Sequence, residues 1–169
     1  DNVEASLSKR GRRGQLPAKY PTDASYQAAI KSFLQYIYLG YFEPQQRPLM
    51  ANIISLRNNT IWFDYLQYLD GAMEESWGVD WGDEYLNSSA WGEHLYRADE
   101  TQRMGKSVIL VSQGDRGDIL RQEFAFASYL LISHGSASFR YTNSSSYREV
   151  WLYPAYEIEL GEPLGPRYR

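Results

Sequence analysis

A chain of 169 residues, 43% of them hydrophobic, is long enough for one domain with a continuous core and too apolar to be disordered. Its net charge of -4 removes the electrostatic case for a nucleic-acid partner, and no run reaches the apolar length that a membrane span needs. The absence of cysteine excludes disulfides and thiolate metal sites and leaves the compartment open.

The chain opens on Asp1-Asn2-Val3-Glu4, an acidic strand end with no initiator methionine. This start reads as an excerpt or a processed product, so the lack of a signal peptide carries no weight. Residues 5–21 form a loop rich in Gly, Ser and basic residues, closing on Pro17 and Pro21. Its run Lys9-Arg10-Gly11-Arg12-Arg13 lacks interleaved aromatics and reads as a solvated loop rather than a polyanion site. Thr22 or Asp23 then caps a helix on which Tyr26, Ile30, Phe33, Leu34, Ile37, Tyr38 and Tyr41 recur at helical spacing, until Gly40 and Pro44. The stretch Pro48–Leu56 is nearly continuously apolar, the pattern of a strand buried on both faces.

A short helix starts at Asn58-Asn59-Thr60 and carries Ile61, Trp62, Tyr65, Leu66 and Leu69. An acidic strand over 69–76 follows, beginning Asp70-Gly71 and closing on Glu74 and Glu75. A loop rich in Gly, Trp and Asp (77–87) leads to Ser88 and Ser89, which cap a helix through Trp91, Leu95, Ala98 and Met104, stopped by Gly105. Residues 107–112 are a buried strand with the exit loop Gln113-Gly114-Asp115. Asp118 caps a further helix through Ile119, Phe124, Ala127, Tyr129 and Leu131, residues 136–142 form a last strand, and a Tyr- and Pro-rich tail ends the chain.

Regular alternation of strand and helix predicts an α/β fold with a parallel sheet covered by helices. Four strands and one strand end are half of what a closed (β/α)8 barrel requires. The expected architecture is therefore the C-terminal half of a TIM barrel, residues 1–169 as one domain, entered at the tip of the fourth strand. In such a sheet the acidic ends at Asp1–Glu4 and Glu74–Glu75 emerge on one rim, where barrels keep their active sites. Two carboxylates beside an indole suit cleavage of a glycosidic bond, in which one acid protonates the leaving oxygen and a second attacks or activates water. Fifteen Tyr and five Trp suit stacking on sugar rings, and they suit a packed core equally.

The phrases Leu69-Asp70-Gly71-Ala72-Met73-Glu74-Glu75, Phe126-Ala127-Ser128-Tyr129-Leu130-Leu131-Ile132 and Tyr153–Gly165 resemble a family of TIM-barrel glycoside hydrolases, the hypothetical glycosyl hydrolase group labelled family 15-like. Asp1-Asn2 is similar to the last two residues of that family's strand-four phrase, Asp-Gly-Ile-Phe-Leu-Asp-Asn. The resemblance implies carbohydrate hydrolysis without naming a sugar, and no cofactor. By likeness to barrel glycosidases with acids on strands four and six, Asp1 is implied as nucleophile or base and Glu75 as general acid. Glu75 stands five residues after Asp70, the same offset as the final Asp of the family phrase, which prefers it over Glu74.

Strand alternation sends Glu74 and Glu75 to opposite faces, so one of them points into the mouth and the other toward helices or solvent. Glu4 is a weaker understudy for the catalytic acid and reads rather as a loop acid. Trp77 and Trp81 follow the acid directly and suit either sugar stacking or loop packing. Asn52 inside its apolar strand must find partners, a substrate hydroxyl or a neighbouring side chain. Gln113 and Asp115 end the next strand and suit sugar hydroxyls, although Asp115 is equally a helix initiator; Arg140 and Tyr141 share that ambiguity. His94 and His134 read as structural, and no spacing of His, Asp and Glu suggests a metal site. A rival from another class is a non-catalytic carbohydrate-binding protein on the same scaffold.

Overall fold

The computed structural model describes residues 2–9, 14, 16–82, 84–161 and 164–165. Five strands, β1 (Asn2–Glu4), β2 (Met50–Ile54), β3 (Gly71–Glu74), β4 (Ser107–Gln113) and β5 (Ala137–Thr142), form one sheet in the order β1-β2-β3-β4-β5. Every neighbouring pair is parallel. Between them run the helices α1 (Asp23–Ile37), α2 (Asn59–Leu66), α3 (Ser88–Arg103) and α4 (Ile119–Leu130). A doubly wound sheet reverses its strand order at a switch point, whereas a barrel advances one strand at a time. Here the order never reverses, so the α/β architecture is that of a partial TIM barrel.

One buried cluster joins all four helices to a single face of the sheet. It includes Leu34 of α1, Trp62 and Leu66 of α2, Leu95 and Ala98 of α3 and Ala125 of α4, packed on Ala51, Ile53, Ala72, Val108 and Leu110. Trp62 and Leu66 are completely buried, and each such side chain contributes roughly 1.5–3 kcal/mol. The Trp62 indole N–H donates to Thr101 Oγ1 at 2.9 Å, so the large ring leaves no orphan donor. The opposite face presents Asn2, Asn52, Met73 and Ile109, which share one level of the register across four strands.

Local chemistry explains the boundaries. Thr22 and Ser25 form a reciprocal capping box at the start of α1, and α1 unwinds through a π-turn (Tyr38–Phe42) and a 3-10 turn (Glu43–Gln45). Asn58 and Asp118 cap α2 and α4. The cap of α3 is Asn87 and not the expected Ser88 or Ser89: its side-chain oxygen accepts from Ala90 N–H at 3.0 Å. The acidic strand is shorter than the expected 69–76, with Glu75 already in the bend beyond β3. Its entry is pinned by Asp70, whose Oδ2 accepts from Leu49 N–H at 2.8 Å. A Cβ at Gly71 would lie 2.5 Å from the Ser107 carbonyl oxygen, so the close approach of β3 to β4 requires glycine. Glu4 ends β1 in register with Ile54, where a loop was expected. The tail also packs: Trp151 and Tyr153 bury themselves against Tyr141.

Candidate active site

Because the strands are parallel, the C-terminal ends of β1 and β3 open on the same rim. The residues beyond β3 divide there by face. Glu75 lies on the face away from the helices, and the Asn52 amide donates to its Oε2 at 2.5 Å and to Asn2 Oδ1 at 2.9 Å. Gln113, at the end of β4, donates to the Tyr147 hydroxyl at 2.8 Å, and Tyr147 in turn approaches Glu75 Oε1 at 3.4 Å. Burial pushes the Tyr147 hydroxyl above its ordinary value; the Gln113 bond opposes this and the Glu75 charge adds to it. Tyr147 therefore stays protonated and presents a donor to the carboxylate. Arg140 steers that segment by donating to the carbonyls of Tyr147 and Glu149 at 2.6 and 2.8 Å. Glu75, Asn52, Met73 and Ile109 line an open lumen cavity of about 310 Å³. Asn52 Oδ1 and Gln113 Oε1 are buried acceptors with no donor among the described residues.

Glu74 faces the other way. It is buried and pairs with Arg97, while Ser76 donates to it from both its hydroxyl (2.8 Å) and its backbone N–H (3.2 Å). Burial would raise the Glu74 pKa, but the Arg97 charge, the neighbouring His94 and the Ser76 bonds outweigh it and hold the carboxyl below the ordinary range. Arg97 also donates to Asn59 Oδ1 at 2.7 Å and lies 5.2 Å over the Trp62 ring. His94 stacks on Trp77, and burial pushes its imidazole below its ordinary pKa. Above this network a lateral cleft of about 730 Å³ opens between the segments that follow β2 and β3.

The two tryptophans have opposite fates. Trp77 is 1% exposed and its indole N–H donates to the Ala125 carbonyl at 3.0 Å, so its ring belongs to the core. Trp81 is 57% exposed, at the tip of a narrow turn closed by the Val79–Tyr85 bridge. That turn is fastened to α4 by Arg121, itself 2% exposed. Its guanidinium donates to the carbonyls of Asp80 (3.0 Å), Gly82 (2.6 Å), Glu84 (3.2 Å) and Gln113 (2.8 Å).

The model of hypothetical glycosyl hydrolase family 15 matches residues 1–169. The chain belongs to this family. No curated protein matches it. Of the positions that family resemblance and residue chemistry nominate, the structure gathers Glu75, Asn52 and Gln113 on the lumen side and sets Glu74 and Trp81 along the lateral cleft. Asp1 lies outside the described residues. Asp115 is exposed and its carbonyl accepts from Asp118 N–H at 3.0 Å, just ahead of α4. Tyr141 is 1% exposed within the aromatic cluster with Trp151 and Tyr153, its hydroxyl close to Gly114 beyond β4. Among the described residues no group of three or more His, Asp or Glu is placed to hold a metal ion, and no helix is long and apolar enough to cross a membrane.

Sequence reasoning did not nominate Tyr147, Arg97 or Arg121. Tyr147 reaches Glu75 from 72 positions away, so spacing carries no trace of it. Arg97 sits on a polar helical stretch and Arg121 opens the polar triplet Arg121-Gln122-Glu123, both of which look solvated in sequence. Their burial follows from the carboxylate and the carbonyls brought to them by other elements.

Proposed function

We propose that this member of hypothetical glycosyl hydrolase family 15 cleaves O-glycosidic bonds of an oligo- or polysaccharide with two carboxylates, Glu75 as general acid and Asp1 as its partner. On this reading the chain is the C-terminal half of a (β/α)8 barrel, beginning in its fourth strand. The observation that carries the reading is the Glu75 carboxyl group. It stands at the carboxyl end of a parallel strand, on the lumen side, steadied by Asn52 and Tyr147 beside an open cavity. The role of Asp1 rests on the family resemblance.

The chemistry follows from this placement. Glu75 gives its proton to the bridging oxygen as the bond from that oxygen to the anomeric carbon breaks, and the aglycone leaves as an alcohol. Asp1 either bonds to the anomeric carbon, to be displaced by water, or takes a proton from the attacking water. In both routes one water is consumed: one of its protons returns to Glu75, directly in the first route and from Asp1 through solvent in the second, and the other stays on the new anomeric hydroxyl. Among the described residues Asn52 and Gln113 each keep a carbonyl oxygen without a donor, the complement of a sugar hydroxyl.

The test is Glu75→Gln in the full-length barrel, assayed on aryl glycosides and polysaccharides. Turnover is expected to fall about 10²–10⁴-fold, the worth of a general acid, with sugar binding nearly unchanged. Near-normal turnover would remove Glu75 from the mechanism.

A further inference from the structure

The lumen cavity and the lateral cleft have separate linings, and among the described residues Glu75 is the one member common to both. A general acid that protonates a bridging oxygen must stand between the sugar that is attacked and the sugar that departs. We infer that the lateral cleft is the aglycone subsite and that it receives an uncharged sugar chain, an assignment that rests on Glu75 being the acid.

Size, surface and charge support this. At about 730 Å³ the cleft is more than twice the lumen cavity, at about 310 Å³. It falls in the range of roughly 300–1,000 Å³ that encloses a ligand well beyond a single small group. The lumen lining holds Met50, Ala51, Met73 and Ile109 beside its few polar groups, a close fit for one ring. The cleft instead offers the exposed face of Trp81, the one surface indole on this rim, together with Asn58, Asn59 and Ser76. An indole face and short polar side chains are what a pyranose needs, stacking below and hydrogen bonds at its edge. Three described cations (Lys9, Arg57, Arg97) face three carboxylates (Glu74, Glu75, Glu93) along the lining. Arg97 is consumed by Glu74 and Arg57 by Asp23, which stands outside the lining, so Lys9 is left facing Glu93 and Glu75, the latter carrying its proton as the acid. Neither an anionic nor a cationic sugar gains from such a balance, and a neutral one loses nothing.

The experiment compares Trp81→Ala with the unmodified protein on matched substrates, namely 4-nitrophenyl glycosides and tetrasaccharides of glucose, xylose and mannose. Trp81 is exposed and outside the buried cluster, so its removal leaves the core intact. Expected is a fall of about tenfold in kcat/KM on the tetrasaccharide, the worth of one good stacking contact, with the aryl glycoside changed less than about twofold. An equal effect on both substrates, or on neither, overturns the subsite. In parallel, ¹⁵N-labelled Glu75→Gln protein is titrated with maltotetraose, cellotetraose, xylotetraose, mannotetraose and tetragalacturonate. A shift of the Trp81 indole signal with a neutral tetrasaccharide is expected; no shift with any, or tightest binding of tetragalacturonate, overturns the inference. Failure of the general-acid reading is separately visible, because Glu75→Gln would then retain turnover whatever Trp81 does.

Discussion

Replacing Arg97 by methionine removes a buried guanidinium and strands Glu74, and the cost can be worked from the surroundings. Arg97 and Glu74 are 6% and 7% exposed. Without its cation Glu74 keeps the two Ser76 bonds, which leave a nearly dry carboxylate undercompensated. Breaking such a pair from one side costs about 3–5 kcal/mol. Glu74→Leu strands Arg97 instead, with Asn59 and the Trp62 face as its remaining support, and a loss of similar size is expected. The double variant has no charge left to strand and should fall within about 1–2 kcal/mol of the parent, since an apolar pair of similar volume replaces a buried ion pair at little cost. Urea unfolding followed by tryptophan fluorescence reads all four proteins. With an m-value near 2 kcal/mol per molar, each single change should lower the midpoint by about 2 M and the double by under about 1 M. Single variants that lose less than about 1 kcal/mol, or a double equal to the sum of the singles, would show that the pair is not the anchor beneath the lateral cleft.

Acid should weaken the fold in two steps. His94 is held below its ordinary pKa by burial, so the unfolded chain takes up the proton first, and stability declines as pH falls below about 6.5. Glu74 is held below the carboxylate range, so its contribution is present above that range and is lost as pH falls through it. Thermal melts between pH 8 and pH 2 should show both declines, and His94→Asn should flatten the first. Arg121→Ala should leave the sheet standing but release the turn that carries Asp80, Gly82 and Glu84, making it the earliest site of limited proteolysis; an unchanged cleavage pattern would show that the three carbonyl contacts do not hold it.

Much of the fold is legible in the chain because each strand and helix carries its own local signal. The run Ser107-Val108-Ile109-Leu110-Val111 has no polar alternation because its residues pack on both faces. Asn58 and Asp118 announce helix starts by chemistry that acts within three residues. The α3 cap was displaced to Asn87 because three consecutive side chains there are all competent caps, and the backbone turn selects among them. The division of Glu74 from Glu75 follows from strand alternation. What Glu74 meets, and which tryptophan stays in solvent, depends on α3 and α4 arriving from elsewhere in the chain. Tyr147 is the extreme case, a tail residue whose role exists only once β5 has delivered it beside β3.

The fastening of the Trp81 turn has a consequence for working range. A guanidinium is a permanent cation in proteins, and peptide carbonyls take no part in acid–base equilibria at ordinary pH. The latch made by Arg121 on Asp80, Gly82, Glu84 and Gln113 is therefore blind to acidity. On the proposed mechanism Glu75 would exchange its proton at every turnover while the platform beside it keeps its position, which would separate the shape of the entrance from the protonation cycle it serves.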